Sequence, residues 1–196
     1  MELKFYSYFN SIPFIISYME NLHIYLRVST DSQIEDGFGI QNQKDLGIRI
    51  SKKLEMKPII HNEGSKSSNS DLIEERPILN ELMFKINNGE VKNLWVFNND
   101  RLSRNENVWN TIRLTLRKNG CTLYVSLEPC PMCFYALMQA RIHRIVFAAP
   151  DTSLGILSQG VFEHTHAKLN HHFSWTGGVC SDLASSELRT FFANRR

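Results

Sequence analysis

The sequence has little net charge, no long apolar run and no cysteine in its first 120 residues. Its 196 residues contain 22 Lys and Arg against 20 Asp and Glu, so the formal net charge is only +2. Bulk charge therefore does not mark a nucleic-acid binder, and any such function must come from local clusters. The aromatic opening, 1–19, is interrupted by Pro13 and is too short and broken to span a bilayer. We expect no membrane partner.

All four cysteines lie in the last 76 residues. Two of them, Cys130 and Cys133, form a Cys-x-x-Cys, which in an intracellular chain favours metal or redox chemistry over a disulfide framework. The opening segment carries no small-residue cleavage site, so we expect a cytoplasmic protein. We treat 1–21 as an N-terminal extension that need not be structured; the alternative is that translation starts at Met19.

Short apolar runs alternate with amphipathic segments along the chain, without internal repeats and without a Gly, Ser or Pro-rich linker. The pattern predicts an α/β fold, with a parallel or mixed sheet flanked by helices and functional groups at the carboxyl ends of the strands. We expect an irregular His-rich loop over 150–175. The predicted strands are 23–28, 58–61, 94–97, 122–127 and 144–148, and the predicted helices are 41–54, 77–87, 108–118, 131–140 and 183–195.

A serine and several arginines lie close to predicted strand ends. Ser29 ends the first strand, with Arg27 two residues earlier on the same side, whereas Asp100, Arg101 and Arg104 follow the third strand. Arg76 precedes a helix. Phosphoryl transfer needs a nucleophile and a dense set of positive donors, because negative charge accumulates on the phosphate oxygens in the transition state. These residues supply both.

Three blocks carry a family resemblance over about 22–120: Tyr25-x-Arg-Val-Ser-Thr-x-x-Gln33, Arg76-Pro-x-Leu and Asp100-Arg-Leu-Ser-Arg104. Together they resemble the catalytic domain of the resolvase/invertase family of serine recombinases. The resemblance implies that Ser29 attacks a DNA phosphodiester and holds a 5′-phosphoserine linkage, with no metal needed. It implies that Asp100 orients arginines or assists proton transfer, with Gln33 in support, and that the phosphate is clamped by Arg27, Arg76, Arg101 and Arg104.

Family members also have a long dimerisation helix and a separate DNA-binding domain, and we find neither after Gly120. We therefore expect DNA as the partner but an impaired strand-exchange activity. The oligomeric state is left open: an oligomer is possible, but the helix through which family members dimerise is missing.

The second half of the sequence contains a different kind of motif. A strand, 122–127, leads into Pro-Cys130-Pro-Met-Cys133 at a predicted helix start, where two thiolates can point at one tetrahedral Zn²⁺. The whole of 121–196 resembles the C-terminal half of bacterial tRNA adenosine deaminases, which are zinc enzymes of the cytidine-deaminase fold. The resemblance implies tRNA as an alternative partner and Cys130 and Cys133 as two metal ligands.

Deaminase chemistry also needs a His-x-Glu on a helix before the cysteine pair. The one such triplet, His61-Asn62-Glu63, lies at a strand end and runs into Gly64-Ser65, so we reject it as the missing half. Other ligands in principle are His143, His164, His166, His171 and His172. Three hypotheses follow: a recombinase-type DNA-cleaving enzyme, a zinc-dependent deaminase relic that converts adenosine to inosine, or an inactive gene-fusion product.

Overall fold

A computed structural model describes residues 19–28, 39–65, 72–160 and 174–193. These residues form six strands and five helices, which confirms the predicted α/β class. The strands are β1 (Asn21–Val28), β2 (Lys57–Ser65), β3 (Asn93–Val96), β4 (Thr122–Leu127), β5 (Arg144–Ala149) and β6 (Ser174–Thr176). The helices are α1 (Ile40–Lys53), α2 (Pro77–Asn87), α3 (Glu106–Lys118), α4 (Pro131–Gln139) and α5 (Ser181–Ala193).

All six strands join one parallel sheet in the order β2-β1-β3-β4-β5-β6. The chain moves outward from β1 to β2, returns past β1 to β3, and then continues in the other direction. A doubly wound sheet of this kind has its topological switch point between β1 and β3, and ligands bind there, beyond the carboxyl ends of the strands.

The helices cover both faces of the sheet. Leu79 and Leu82 of α2, Ile112 of α3 and Leu137 of α4 belong to the larger core cluster, on one face. Leu46 of α1 belongs to a second cluster on the opposite face, where α5 also packs. Because both faces are covered, the central strands are apolar on both sides and read as continuous hydrophobic runs in the sequence.

Helix α1 approaches the sheet through a glycine. A Cβ at Gly47 would lie 2.8 Å from Ile24 Cγ2 and 3.1 Å from Trp95 Cε3, so only glycine allows this close packing against β1 and β3. Within the described ranges, no helix is long and apolar enough to cross a membrane.

Candidate active site

The ends of β1 and β3 converge at the switch point. Strand β3 runs into Asn98 and a 3-10 turn, Asn99–Arg101, which we call the arginine turn together with Leu102. The guanidinium of Arg27 donates from Nε to the Arg101 carbonyl at 2.9 Å and from Nη2 to the Asp100 carbonyl at 2.8 Å. Arg27 and the Asp100–Arg101 segment are therefore brought together, as their places at strand ends predict.

Arg76 reaches the arginine turn from the other side. Its Nη2 donates to the Arg101 carbonyl at 2.8 Å, and its Nη1 donates to the Leu102 carbonyl. Arg27 and Arg76 are 0% and 2% exposed. Burial, followed by repulsion from the Arg76 and Arg101 charges, lowers the pKa of Arg27 to about 10, which still leaves it charged at neutral pH. The two arginines thus cross-link the turn to β1 and to the start of α2.

Arg101 and Arg104 are less enclosed. Arg101 is partly buried, and the Arg104 side chain is 50% exposed. Arg104 Nη2 lies 3.1 Å from Asp100 Oδ2, whereas Asp100 Oδ1 is buried with no hydrogen-bond partner among the residues that the structure describes. Ser29 and Gln33 lie outside the described residues. In the sequence, Ser29 directly follows Val28, the last residue of β1.

The end of β1 is fixed by a residue that the sequence did not single out. Gln43 of α1, fully buried, donates from Nε2 to the Arg27 carbonyl at 3.1 Å, and its Oε1 accepts from the Arg27 N–H at 3.4 Å. These contacts occur where the β1 and β2 register shifts between Leu26 and Val28. Nothing in the spacing of Gln43 distinguishes it from the other polar residues of α1.

The cysteine pair lies at the same edge of the sheet. Cys130 caps the amino end of α4 and Cys133 follows within its first turn, as predicted. Burial, followed by the neighbouring Cys130 thiol, raises the pKa of the Cys133 thiol to about 11, although a hydrogen bond with the Asn99 side chain of the arginine turn acts in the opposite direction. The two constellations predicted from the sequence are therefore neighbours.

Among the described residues, the donor set around the thiols is incomplete for zinc. In the described ranges, no three His, Cys, Asp or Glu side chains are grouped to hold a metal ion. His143 precedes β5, at the amino edge of the sheet, whereas Cys130 follows β4 at the carboxyl edge. The other four candidate histidines, His164, His166, His171 and His172, lie outside the described residues.

The rejected His61-Asn62-Glu63 triplet is part of β2, at the far edge of the sheet. Two strands separate β2 from β4, and neighbouring strands lie about 4.8 Å apart, so the triplet is remote from Cys130. His61 Nε2 lies 2.8 Å from His23 Nδ1. Glu63 instead binds Tyr25 and the start of α2.

Glu128 is a further buried carboxylate that the sequence did not single out. It follows β4 and is 2% exposed. Its Oε1 accepts from the N–H groups of Leu157 and Ser158, both at 2.9 Å, and its Oε2 accepts from the N–H of Asp151 at 3.0 Å and the Ser158 hydroxyl at 2.6 Å. A Cβ at Gly155 would overlap Oε2. Glu128 thus anchors the loop that follows β5.

The chain is thus an α/β protein in which the arginine turn lies at the switch point of a doubly wound sheet. Comparison with known families agrees with this class. The model of the resolvase N-terminal domain matches residues 22–146, more than half of the chain. The chain therefore belongs to the resolvase N-terminal domain family.

A second family model, the MafB19-like deaminase, matches residues 110–185. The two matches overlap over 110–146, which contains β4 and α4. Within this overlap α3 contacts α4, because Arg113 Nη1 donates to the Ala136 carbonyl at 2.7 Å. The chain is thus a resolvase-type domain whose later strands and helices also match a deaminase.

Curated relatives agree with the second match. The tRNA-specific adenosine deaminase of Haemophilus influenzae is 43% identical over 75 residues, which are 38% of this chain and 43% of that protein. The Bacillus subtilis protein of the same name is 35% identical over 82 residues, covering 42% of this chain and 51% of that protein. A tRNA(Ile)-lysidine synthase of Deinococcus deserti is 43% identical over 77 residues, covering 39% and 14%. The chain spans about half or less of these relatives.

Proposed function

We propose that the chain cleaves and rejoins DNA strands by recombinase-type phosphoryl transfer. One observation carries this proposal: the Arg27 guanidinium bonds the carbonyls of Asp100 and Arg101, so the end of β1 lies against the arginine turn. Ser29 follows Arg27 by two residues, and Arg101 and Arg104 are on or next to the turn. We therefore assign the nucleophile, and the cations that would stabilise its target, to one edge of the sheet.

In the proposed step, the Ser29 hydroxyl oxygen attacks phosphorus, and the serine proton ends on the departing 3′ oxygen. The bond from phosphorus to the 3′ oxygen breaks, which leaves a 5′-phosphoserine linkage and a free 3′-hydroxyl. Attack by a 3′-hydroxyl on the linkage reverses the step and rejoins a strand. Charge on the non-bridging oxygens is stabilised by Arg101 and Arg104, and Asp100 orients Arg104 through their 3.1 Å ion pair.

We assign two roles to the four arginines, according to their burial and their hydrogen-bond partners. Arg27 and Arg76 direct donors at main-chain carbonyls, and we assign them the positioning of the turn. Arg101 and Arg104, which are more exposed, are assigned direct contact with phosphate. Gln33 stays a proposed supporting residue.

The test is a covalent adduct with nicked suicide DNA, resolved on a denaturing gel. We expect the wild-type chain to form the adduct and Ser29→Ala to abolish it, whereas Ser32→Ala, a matched change in the same segment, retains it. Arg104→Gln should reduce the yield by at least tenfold, because one charge-assisted contact to the transition state is lost. An adduct that survives Ser29→Ala, or no adduct with the wild-type chain, would contradict the proposal.

A zinc-dependent deaminase acting on adenosine in tRNA is the second candidate. It is supported by the identity to tRNA-specific adenosine deaminases and by the Cys130 and Cys133 pair at a helix start. One feature weighs against it: the described residues offer no third ligand for a metal held by the two thiols. It predicts about one bound zinc per chain, lost in Cys130→Ala, and inosine in treated tRNA. A chain with neither adduct nor inosine would be the inactive fusion.

A further inference from the structure

A buried chain of hydrogen bonds lies behind the arginine turn. The Tyr25 hydroxyl donates to Glu63 Oε2 at 2.9 Å and accepts from Arg76 Nη2 at 2.7 Å. The same Nη2 donates to the Arg101 carbonyl at 2.8 Å. Glu63, Tyr25 and Arg76 are 7%, 0% and 2% exposed, so this connection from β2 to the turn is shielded from water.

Glu63 is fixed by contacts on a second element. Its Oε1 accepts the N–H of Ile78 at 3.2 Å, and its Oε2 accepts the N–H of Leu79 at 2.8 Å. These are donors of the first turn of α2, whose own N-cap residue, Arg76, makes no side-chain cap bond. A carboxylate at a helix amino end is stabilised by the unpaired N–H groups and by the helix dipole. These contacts therefore hold the Glu63 carboxylate against the first turn of α2.

The Tyr25 hydroxyl can serve only as a neutral relay. Burial raises its pKa, so it keeps its proton at neutral pH and donates to the Glu63 carboxylate. Its remaining lone pair then accepts from Arg76. The Arg76 guanidinium also lies over the Tyr25 ring, 5.6 Å from the ring centroid, and this contact helps to orient the guanidinium.

We propose that Tyr25 and Glu63 are positioning residues for phosphoryl transfer: through Arg76 they hold the arginine turn, and with it Asp100, Arg101 and Arg104, in register with the end of β1. This inference rests on the proposed function for its effect on rate. Its effect on the turn itself stands without it.

The test is Tyr25→Phe, which removes only the hydroxyl and keeps the ring in the core. The matched control is Tyr124→Phe, because Tyr124 is also buried and its hydroxyl makes one bond, 3.3 Å to Asn93 Oδ1, away from the turn. We expect Tyr25→Phe to lower the maximal rate of adduct formation about tenfold, with the half-saturating DNA concentration within about twofold of wild type. Tyr124→Phe should change neither.

A readout independent of activity separates the two proposals. In Tyr25→Phe, amide hydrogen exchange over 98–104 should accelerate about tenfold, while exchange in β5 stays as in wild type. Glu63→Gln should act in the same direction. If the wild-type chain forms no adduct but the turn loosens in Tyr25→Phe, the proposed function fails and the positioning role holds. If exchange over 98–104 in Tyr25→Phe matches Tyr124→Phe, the positioning role is overturned whatever the rate.

Discussion

Replacing Glu128 measures how strongly its buried carboxylate stabilises the loop after β5. Glu128 accepts three main-chain N–H groups and one hydroxyl from the loop after β5. A hydrogen bond to a charged group contributes about 1.5–3 kcal/mol, and a buried donor left unpaired costs about 1–3 kcal/mol. Glu128→Gln keeps one oxygen but turns an amide N–H₂ toward a donor. We expect a loss of about 2 kcal/mol for Glu128→Gln and about 4 kcal/mol for Glu128→Ala.

Urea unfolding followed by tryptophan fluorescence gives the free energies of unfolding. Glu187→Gln is the matched control, because Glu187 makes an exposed ion pair with Arg49 at 3.3 Å and should lose less than about 1 kcal/mol. The midpoint should fall for Glu128→Gln without a change in the urea dependence. If Glu128→Gln and Glu187→Gln have the same stability, Glu128 does not anchor the loop.

Two further predictions concern packing and pH. Burial, followed by the nearby His23, lowers the pKa of His61 to about 4. This pKa is below the value of 6.5 in the unfolded chain. The contribution of neutral His61 to the free energy of unfolding is therefore complete above pH 6.5, and it should fall by up to about 3 kcal/mol as the pH drops through 4. His61→Leu should remove much of this acid-dependent loss and His143→Asn, an exposed control, should not; equal acid slopes would contradict the assignment. Gly47→Ala should lower the unfolding free energy by about 1–3 kcal/mol through overlap with Ile24, and an unchanged urea midpoint would refute the close packing of α1.

Hydrophobic periodicity predicted the fold well. The predicted strand 122–127 and helix 77–87 have the bounds of β4 and α2, and the other helices differ by one or two residues. Strand β6, three residues at the end of the predicted loop, was missed because so short a segment shows no alternation. Strand β2 also continues past the predicted end at residue 61 to Ser65. Asn62, Gly64 and Ser65 favour a loop in isolation, but pairing with β1 outweighs this local preference.

The sequence predicted which strand ends meet more fully than it predicted the contacts between them. The strand-end placement of Arg27 and Asp100 is enough to expect their convergence, since carboxyl ends of parallel strands share an edge. Spacing cannot tell whether a guanidinium faces a ligand or a main-chain carbonyl, and so the buried contacts of Arg27 and Arg76 were not anticipated. Glu63 lies just past the predicted strand 58–61, and its burial in the longer β2 could not be read from the sequence.

The central claim is that Ser29 is the nucleophile of a phosphoryl-transfer site built on the arginine turn. Mass spectrometry of the trypsin-digested adduct tests it most directly, because cleavage after Arg27 and Lys44 releases a peptide that contains Ser29. We expect a nucleotide joined through its 5′-phosphate to Ser29. Attachment to any other residue, or an unmodified peptide beside intact DNA, would contradict the account.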